Sequence, residues 1–357
     1  MRRTLLLGST LAVALATVGC QDTFIAPSTS AIRPADVRAQ SSLQGASLGD
    51  TRLDRSQVTL PSSWLLSDQR FADAARRAID PSDYVCPPST PVIDWYIGKV
   101  REVITQERAT FDLLFNLAAD LVPTYEALVF QTDATPQYFG YNGEYTKTML
   151  KAERDVKRFW DIPSDDIQLL GMHGTMLLDV DRVAATYEAV FGVPSAMAAA
   201  FAQAVADAVR GSTTLNGGNH PFFSFNAFAF SAPGSGIPDK IVMGDGILDG
   251  FAAIGFADVA AQAIYAHEFG HQIQFANDYF SDPFATTGTP AERTRYTELM
   301  ADALSAYYLT HKRGGTLNRK RVAQFLKVFF QLGDCGFDNA GHHGTPNQRM
   351  AAATFGF

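Results

Sequence analysis

The sequence predicts a mainly helical α+β domain, on two observations. Apolar residues recur close to the helical period over 91–130 and again from Asp258 to the C-terminus. Between them, from Phe222 to Leu248, aromatic and β-branched runs bounded by Gly and Pro have the character of strands. With 357 residues, 46% of them hydrophobic and 18% charged, the chain can bury a sizeable core.

The N-terminal segments stand apart from that domain. Met1-Arg2-Arg3 precedes an apolar run from Thr4 to Gly19 that is short for a membrane span, so residues 1–19 read as a secretory signal. Thr17-Val18-Gly19-Cys20 resembles a bacterial lipoprotein box, cut before the cysteine and lipidated on it, with Thr17 where leucine is usual. An ordinary signal peptide cut nearby is the alternative. Residues 20–61 are rich in Ser, Ala, Gln, Asp and Arg and carry too little apolar surface to offset ordering; they read as a flexible, lipid-linked tether. The expectation is an exported protein, facing the periplasm or the cell exterior and touching the membrane only through Cys20. Cys86 and Cys335 either pair in that oxidising compartment or stay as two separate buried thiols.

The folded domain is expected over 62–357, with a helical subregion at 62–230 and a second subregion at 231–357. Asp68–Ile79 suits a short helix, and the Pro87-Pro88 pair breaks the chain after it. Pro91–Phe130 reads as two core helices. Tyr145–Trp160 and Asp179–Phe191 are helical candidates, and Pro194–Arg210 joins an early proline, an alanine-rich body and Gly211 as terminator. Phe222–Phe230 reads as a core strand whose phenylalanine phase slips between Phe225 and Phe228, predicting a bulge or bend. Lys240–Met243 reads as a second strand, and about four helices follow from Asp258.

The formal net charge of −8 leaves no basic surplus to meet a phosphate backbone, which argues against nucleic acid as a partner. The chemistry lies instead in Ala266-His267-Glu268-Phe269-Gly270-His271. On a helix, residues four apart stand one turn above each other, so His267 and His271 can face one ion while Glu268 lies beside them as a general base. Glu298-Leu299-Met300-Ala301-Asp302 begins 27 residues after His271, in another helical segment. Two histidines and a glutamate are a standard catalytic zinc set, and Glu298 can complete it. Asp302, one turn further, can accept a hydrogen bond from the outer nitrogen of a ligand histidine, fixing its tautomer.

This pairing of His-Glu-x-x-His with Glu-x-x-x-Asp resembles the gluzincins, the thermolysin-like zinc peptidases. The bacterial neutral zinc metallopeptidases are more similar still, in the stretch Ala266 to Gln274, in Glu298 to Asp302 and in the segment His343-Gly344-Thr345-Pro346-Asn347-Gln348-Arg349. The resemblance spans about Lys240 to Arg349 and fades upstream. It implies a zincin fold, with the metal helix beneath a small sheet whose edge strand holds an extended polypeptide. It assigns His267, His271 and Glu298 to Zn2+, Glu268 to the general base and Asp302 to orienting a ligand.

In such a site zinc acidifies a bound water and polarises the scissile carbonyl, while Glu268 moves the proton from water to the leaving amine. His343 is the first candidate donor to the oxyanion, with His342, Tyr296 and Tyr307 behind it. Peptide hydrolysis is therefore the leading expectation. A surface or binding lipoprotein that keeps zinc without catalysis, and a zinc amidohydrolase acting on a non-peptide amide, are the alternatives. His173 and His220 sit in loop contexts and are either exposed or near the substrate. His311 closes a helix where a cation suits the dipole. Asp245 and Asp249 lack the spacing of an EF-hand calcium loop.

Overall fold

The computed structural model describes residues 89–280, 288–334 and 342–356. The signal segment, the tether, Cys20, the expected helix at 68–79, Cys86 and Cys335 lie outside the described residues. Eleven α-helices and three strands are described. The coarse expectation of a mainly helical α+β chain holds.

Where two helices were expected over 91–130 there are three: α1 (Pro91–Gln106), α2 (Arg108–Asn116) and α3 (Val122–Val129). The divisions fall at Glu107, whose backbone leaves the helical region, and at Ala118, which takes a positive φ of 52°. The next helix, α4 (Thr146–Phe159), lies where the apolar spacing put it. Strand β1 (Gln168–Met172) was not foreseen. It is followed by α5 (Val180–Phe191), capped by the Asp179 carboxylate accepting from Arg182 N and closed by left-handed Gly192. Helix α6 (Ser195–Gly211) follows, with Pro194 at its N-cap.

The phenylalanine-rich stretch divides. Pro221–Phe223 forms a 3-10 turn, its N-cap side chain His220 accepting from Phe222 N, and only Ala227–Phe230 is strand, β2. The expected strand thus begins five residues late, because proline and the histidine cap turn the chain first. Strand β3 (Lys240–Gly244) runs parallel to β1 and antiparallel to β2, giving the order β1-β3-β2. Residues of the 62–230 subregion therefore share a sheet with those of 231–357. Then come α7 (Asp245–Ala253), α8 (Ala260–Ala276), α9 (Pro290–Thr310), α10 (Arg319–Leu332) and α11 (Pro346–Gly356).

The sheet is buried on both faces, and side-chain alternation sorts its residues between two cores. Leu169, Ala227, Ala229, Ile241 and Met243 join the core formed with α4, α8, α9 and α10. Leu170, Met172, Phe228, Phe230 and Val242 join the core formed with α3, α5 and α6. In β2 the alternation is also one of size: alanines face the side of α8, phenylalanines the other. Small residues there let α8 lie close to the sheet. Gln272 then ties the helix to the strands, donating through Nε2 to Phe230 O (3.2 Å) and Lys240 O (2.9 Å).

Lys240 itself is buried, its Nζ donating to Ala127 O, Leu128 O and Gln131 O at the C-terminal end of α3. A cation on those carbonyls complements the helix dipole and secures α3 to β3. Among the described residues, no helix is long and apolar enough to cross a membrane.

Candidate metal centre

Helix α8 is buried on every side from Ala260 to Gln274 apart from Gln262, as suits a helix without a polar face. Its neighbour α9 starts with a capping box: Thr289 accepts from Glu292 N, and the Glu292 carboxylate accepts from Thr289 N. Pro290 at the first turn fits that start. The two helices approach closely at Gly270, where an added Cβ would lie 3.0 Å from Ala301 Cα and 3.1 Å from Ala301 Cβ. Ser305 Oγ donates to Ala263 O (3.2 Å) across the same seam. This contact sets the two sequence motifs against each other.

His267, His271 and Glu298 come together with zero exposure, and one ligand atom from each lies within 4.8 Å of the others. This is the one such group among the described residues. The histidine Nε2 atoms are 3.1 Å apart, and the Glu298 oxygens lie 3.4 Å from His267 Nε2 and 3.7 Å from His271 Nε2. The imidazole planes stand at 84°, so two perpendicular rings present their edges to a common point.

What those edges carry follows from the opposite ring atoms. His267 Nδ1 donates to Asp302 Oδ1 at 2.8 Å. Gln274 Nε2 donates to Thr297 O (2.9 Å), leaving its Oε1 to accept from His271 Nδ1 at 2.8 Å. Burial, then the neighbouring His267, pushes His271 down to about pKa 3, so its ring is neutral. With the proton held at Nδ1, Nε2 of a neutral ring offers a lone pair. His267, its far nitrogen likewise held by Asp302, presents a second such lone pair when neutral, so that two imidazole edges and a carboxylate converge in a dry interior, an acceptor set that a cation satisfies. The donors present fit a divalent metal.

Glu268 is fully buried beside His267 on α8. His343 is 2% exposed and close enough to Glu298 for that negative charge to act on it. Burial lowers its pKa, but Glu298 and Asp334 together outweigh burial and raise it. Asp334 organises this segment: it accepts from His342 Nδ1 (2.6 Å) and from His343 N (2.9 Å), while Asp334 N donates to Gly344 O (2.9 Å). Burial alone would raise the Asp334 carboxyl; the two histidines reverse that and hold it far below the usual carboxylate range. Gly344, at φ 95°, makes the turn into α11.

Three residues that sequence reasoning assigned no role also belong to this network: Gln274, Asp334 and Arg349. Arg349 is the largest fully buried side chain described. Its Nε and Nη2 each donate to Asp302 at 2.8 Å, and Nη1 lies 3.2 Å from Glu298 Oε2. Gln274 was legible as a hydrogen-bonding residue three positions after His271. Arg349 stood inside the quoted C-terminal segment, with nothing local to show that it is buried.

Other candidates go elsewhere. Tyr307 is 45% exposed and packs against Phe159 and Trp160, nine residues and about 13 Å of helix beyond Glu298. Tyr296 packs with Met300 and Tyr279. His220 is 4% exposed, against the expectation of an exposed loop residue. His173, equally, is mostly covered: its Nδ1 meets Asp245 Oδ2 at 2.7 Å and its ring stacks 3.8 Å from Tyr138. That pair links the C-terminal ends of β1 and β3, and Asp245 Oδ1 also accepts from Gly140 N. His311 is the C-cap of α9, as its position suggested.

Compared with protein-family models, curated proteins and solved structures, the chain gives no match.

Proposed function

We propose that this chain is a zinc-dependent peptidase, of the kind its motifs resemble in the bacterial neutral zinc metallopeptidases. The observation that carries the reading is the meeting of the two imidazole Nε2 atoms and the Glu298 carboxylate, each imidazole held at its far nitrogen by an acceptor. His267, His271 and Glu298 would hold the ion. Zinc, when bound, supplies a Lewis acid that activates water and polarises a carbonyl. Glu268 accepts the proton of the attacking water and returns it to the leaving nitrogen. His343 donates to the oxyanion as charge develops. Asp302 and Gln274 keep the two imidazoles in the tautomer that ligation needs.

In this proposal the activity acts on polypeptide substrates outside the cytoplasm, in keeping with the export signal expected in residues 1–19. A second reading, a structural zinc in a binding lipoprotein, is favoured by the complete burial of His267, Glu268, His271 and Glu298. Casein or a peptide library incubated with the zinc-loaded chain separates the two. Cleavage that phenanthroline stops, and that Glu268→Gln abolishes while retaining zinc, supports the peptidase. Tight zinc with no cleavage supports the structural ion.

A further inference from the structure

Helix α11 delivers to the metal centre a side chain that the ligand set does not require. Arg349 spreads its three nitrogens over both carboxylates of α9, with a bidentate grip on Asp302 and an ion pair to Glu298. Nη2 also lies 3.4 Å from both ring nitrogens of His267, and Nη1 reaches Leu332 O at 3.4 Å. The guanidinium is completely withdrawn from water. Burying a charge so deeply is costly unless it is paired, and here it is paired with the two carboxylates that the metal reading uses. Those carboxylates stand one turn apart on α9, where they repel. A metal offsets that repulsion only while it is bound; Arg349 offsets it always.

We infer that Arg349 is a positioning residue: a resident counter-ion that holds Glu298 and Asp302 in place before any metal arrives. The inference rests on the metal-site reading above. Its geometry depends on the planar fork, since one ammonium cannot grip Asp302 twice and still reach Glu298. It has a thermodynamic signature. Two cations that answer the same carboxylates are coupled unfavourably, so removing one strengthens the effect of the other.

The test compares the full chain with Arg349→Met and Arg349→Lys, each stripped of metal and then given zinc alone. Metal-free Arg349→Met is expected to melt about 10 °C below the wild type, and zinc is expected to raise its melting temperature more than it raises the wild type's. Arg349→Lys should recover part of the loss while shifting the visible bands of the cobalt-loaded site, because charge returns without the fork. Equal metal-free melting of Arg349→Met and wild type, or a zinc shift in Arg349→Met no larger than the wild type's, overturns the inference. Should Arg349→Met not fold without metal, Asp302→Asn/Arg349→Met decides: partial recovery of melting supports a charge partner, and no recovery overturns it. A wild type that ignores zinc sinks the metal reading instead, while the metal-free comparison still scores Arg349 against its carboxylates.

Discussion

Gly270→Ala probes the contact on which the whole site depends. The added methyl would lie 3.0 Å from Ala301 Cα, 3.1 Å from its Cβ and 3.2 Å from its carbonyl oxygen. Carbon atoms rest comfortably at about 3.5–4.0 Å, so α8 and α9 must part by a few tenths of an ångström. For folding, two terms oppose each other. Alanine is favoured over glycine inside a helix by about 1 kcal/mol, and overpacking costs about 1–3 kcal/mol. The variant should be between unchanged and about 2 kcal/mol less stable in metal-free denaturation. Metal binding should suffer more, because Gly270 adjoins His271 and Ala301 is three residues from Glu298. Parting the helices there stretches the 3.4 and 3.7 Å separations between imidazoles and carboxylate. Displacements of a few tenths of an ångström approach the limit of about 0.5 Å within which such sites must be held, so zinc affinity is expected to fall by up to about tenfold, or about 1.4 kcal/mol. Competition against a chromophoric chelator measures it. A Gly270→Ala protein that is more stable than wild type and binds zinc equally well would refute the reasoning.

Asp302→Asn keeps the shape of the side chain but loses the charge answering His267 and Arg349; zinc affinity should drop about 10–100-fold, and a change under twofold in the same competition assay would contradict the role. His220 gives a pH test. Burial, reinforced by Lys99, lowers its pKa from 6.5 to about 4. The unfolded chain therefore takes up a proton that the folded chain refuses as pH falls through that window. Stability should decline there by up to about 1.4 kcal/mol per pH unit, and remain untouched by this group above it. His220→Asn retains an acceptor for Phe222 N and should flatten the decline relative to wild type; parallel curves for the two proteins would count against it.

The sequence made the candidate ligand residues legible because helix geometry alone ties residue spacing to facing direction. His267 and His271 need only α8 to be a helix, and Glu298 and Asp302 need only α9. Other features arise from tertiary structure and left little local trace. Gln168–Met172 contains leucine and methionine, which suit helices, and becomes strand through its ladder with Lys240–Gly244. Phe222 and Phe223 carry strand-like side chains, yet Pro221 and the His220 cap fold them into a turn. Arginine is ordinarily a surface residue, so the burial of Arg349 could be read only once α11 was packed against α9. Tyr307 stood behind His343 as an oxyanion donor on its hydroxyl alone; its helical phase turns it toward Phe159 of α4.

That Arg349 follows every other residue of the site in sequence also governs when the site can form. Synthesis runs from the N-terminus, so His267, His271 and Glu298 leave the ribosome while their guanidinium partner has yet to be added. Throughout that interval Glu298 and Asp302 stand without it, and ion binding competes with an unfinished helix pair. A truncation upstream of Arg349 would make that interval permanent, leaving a polypeptide that bears every candidate ligand yet lacks the clamp around them.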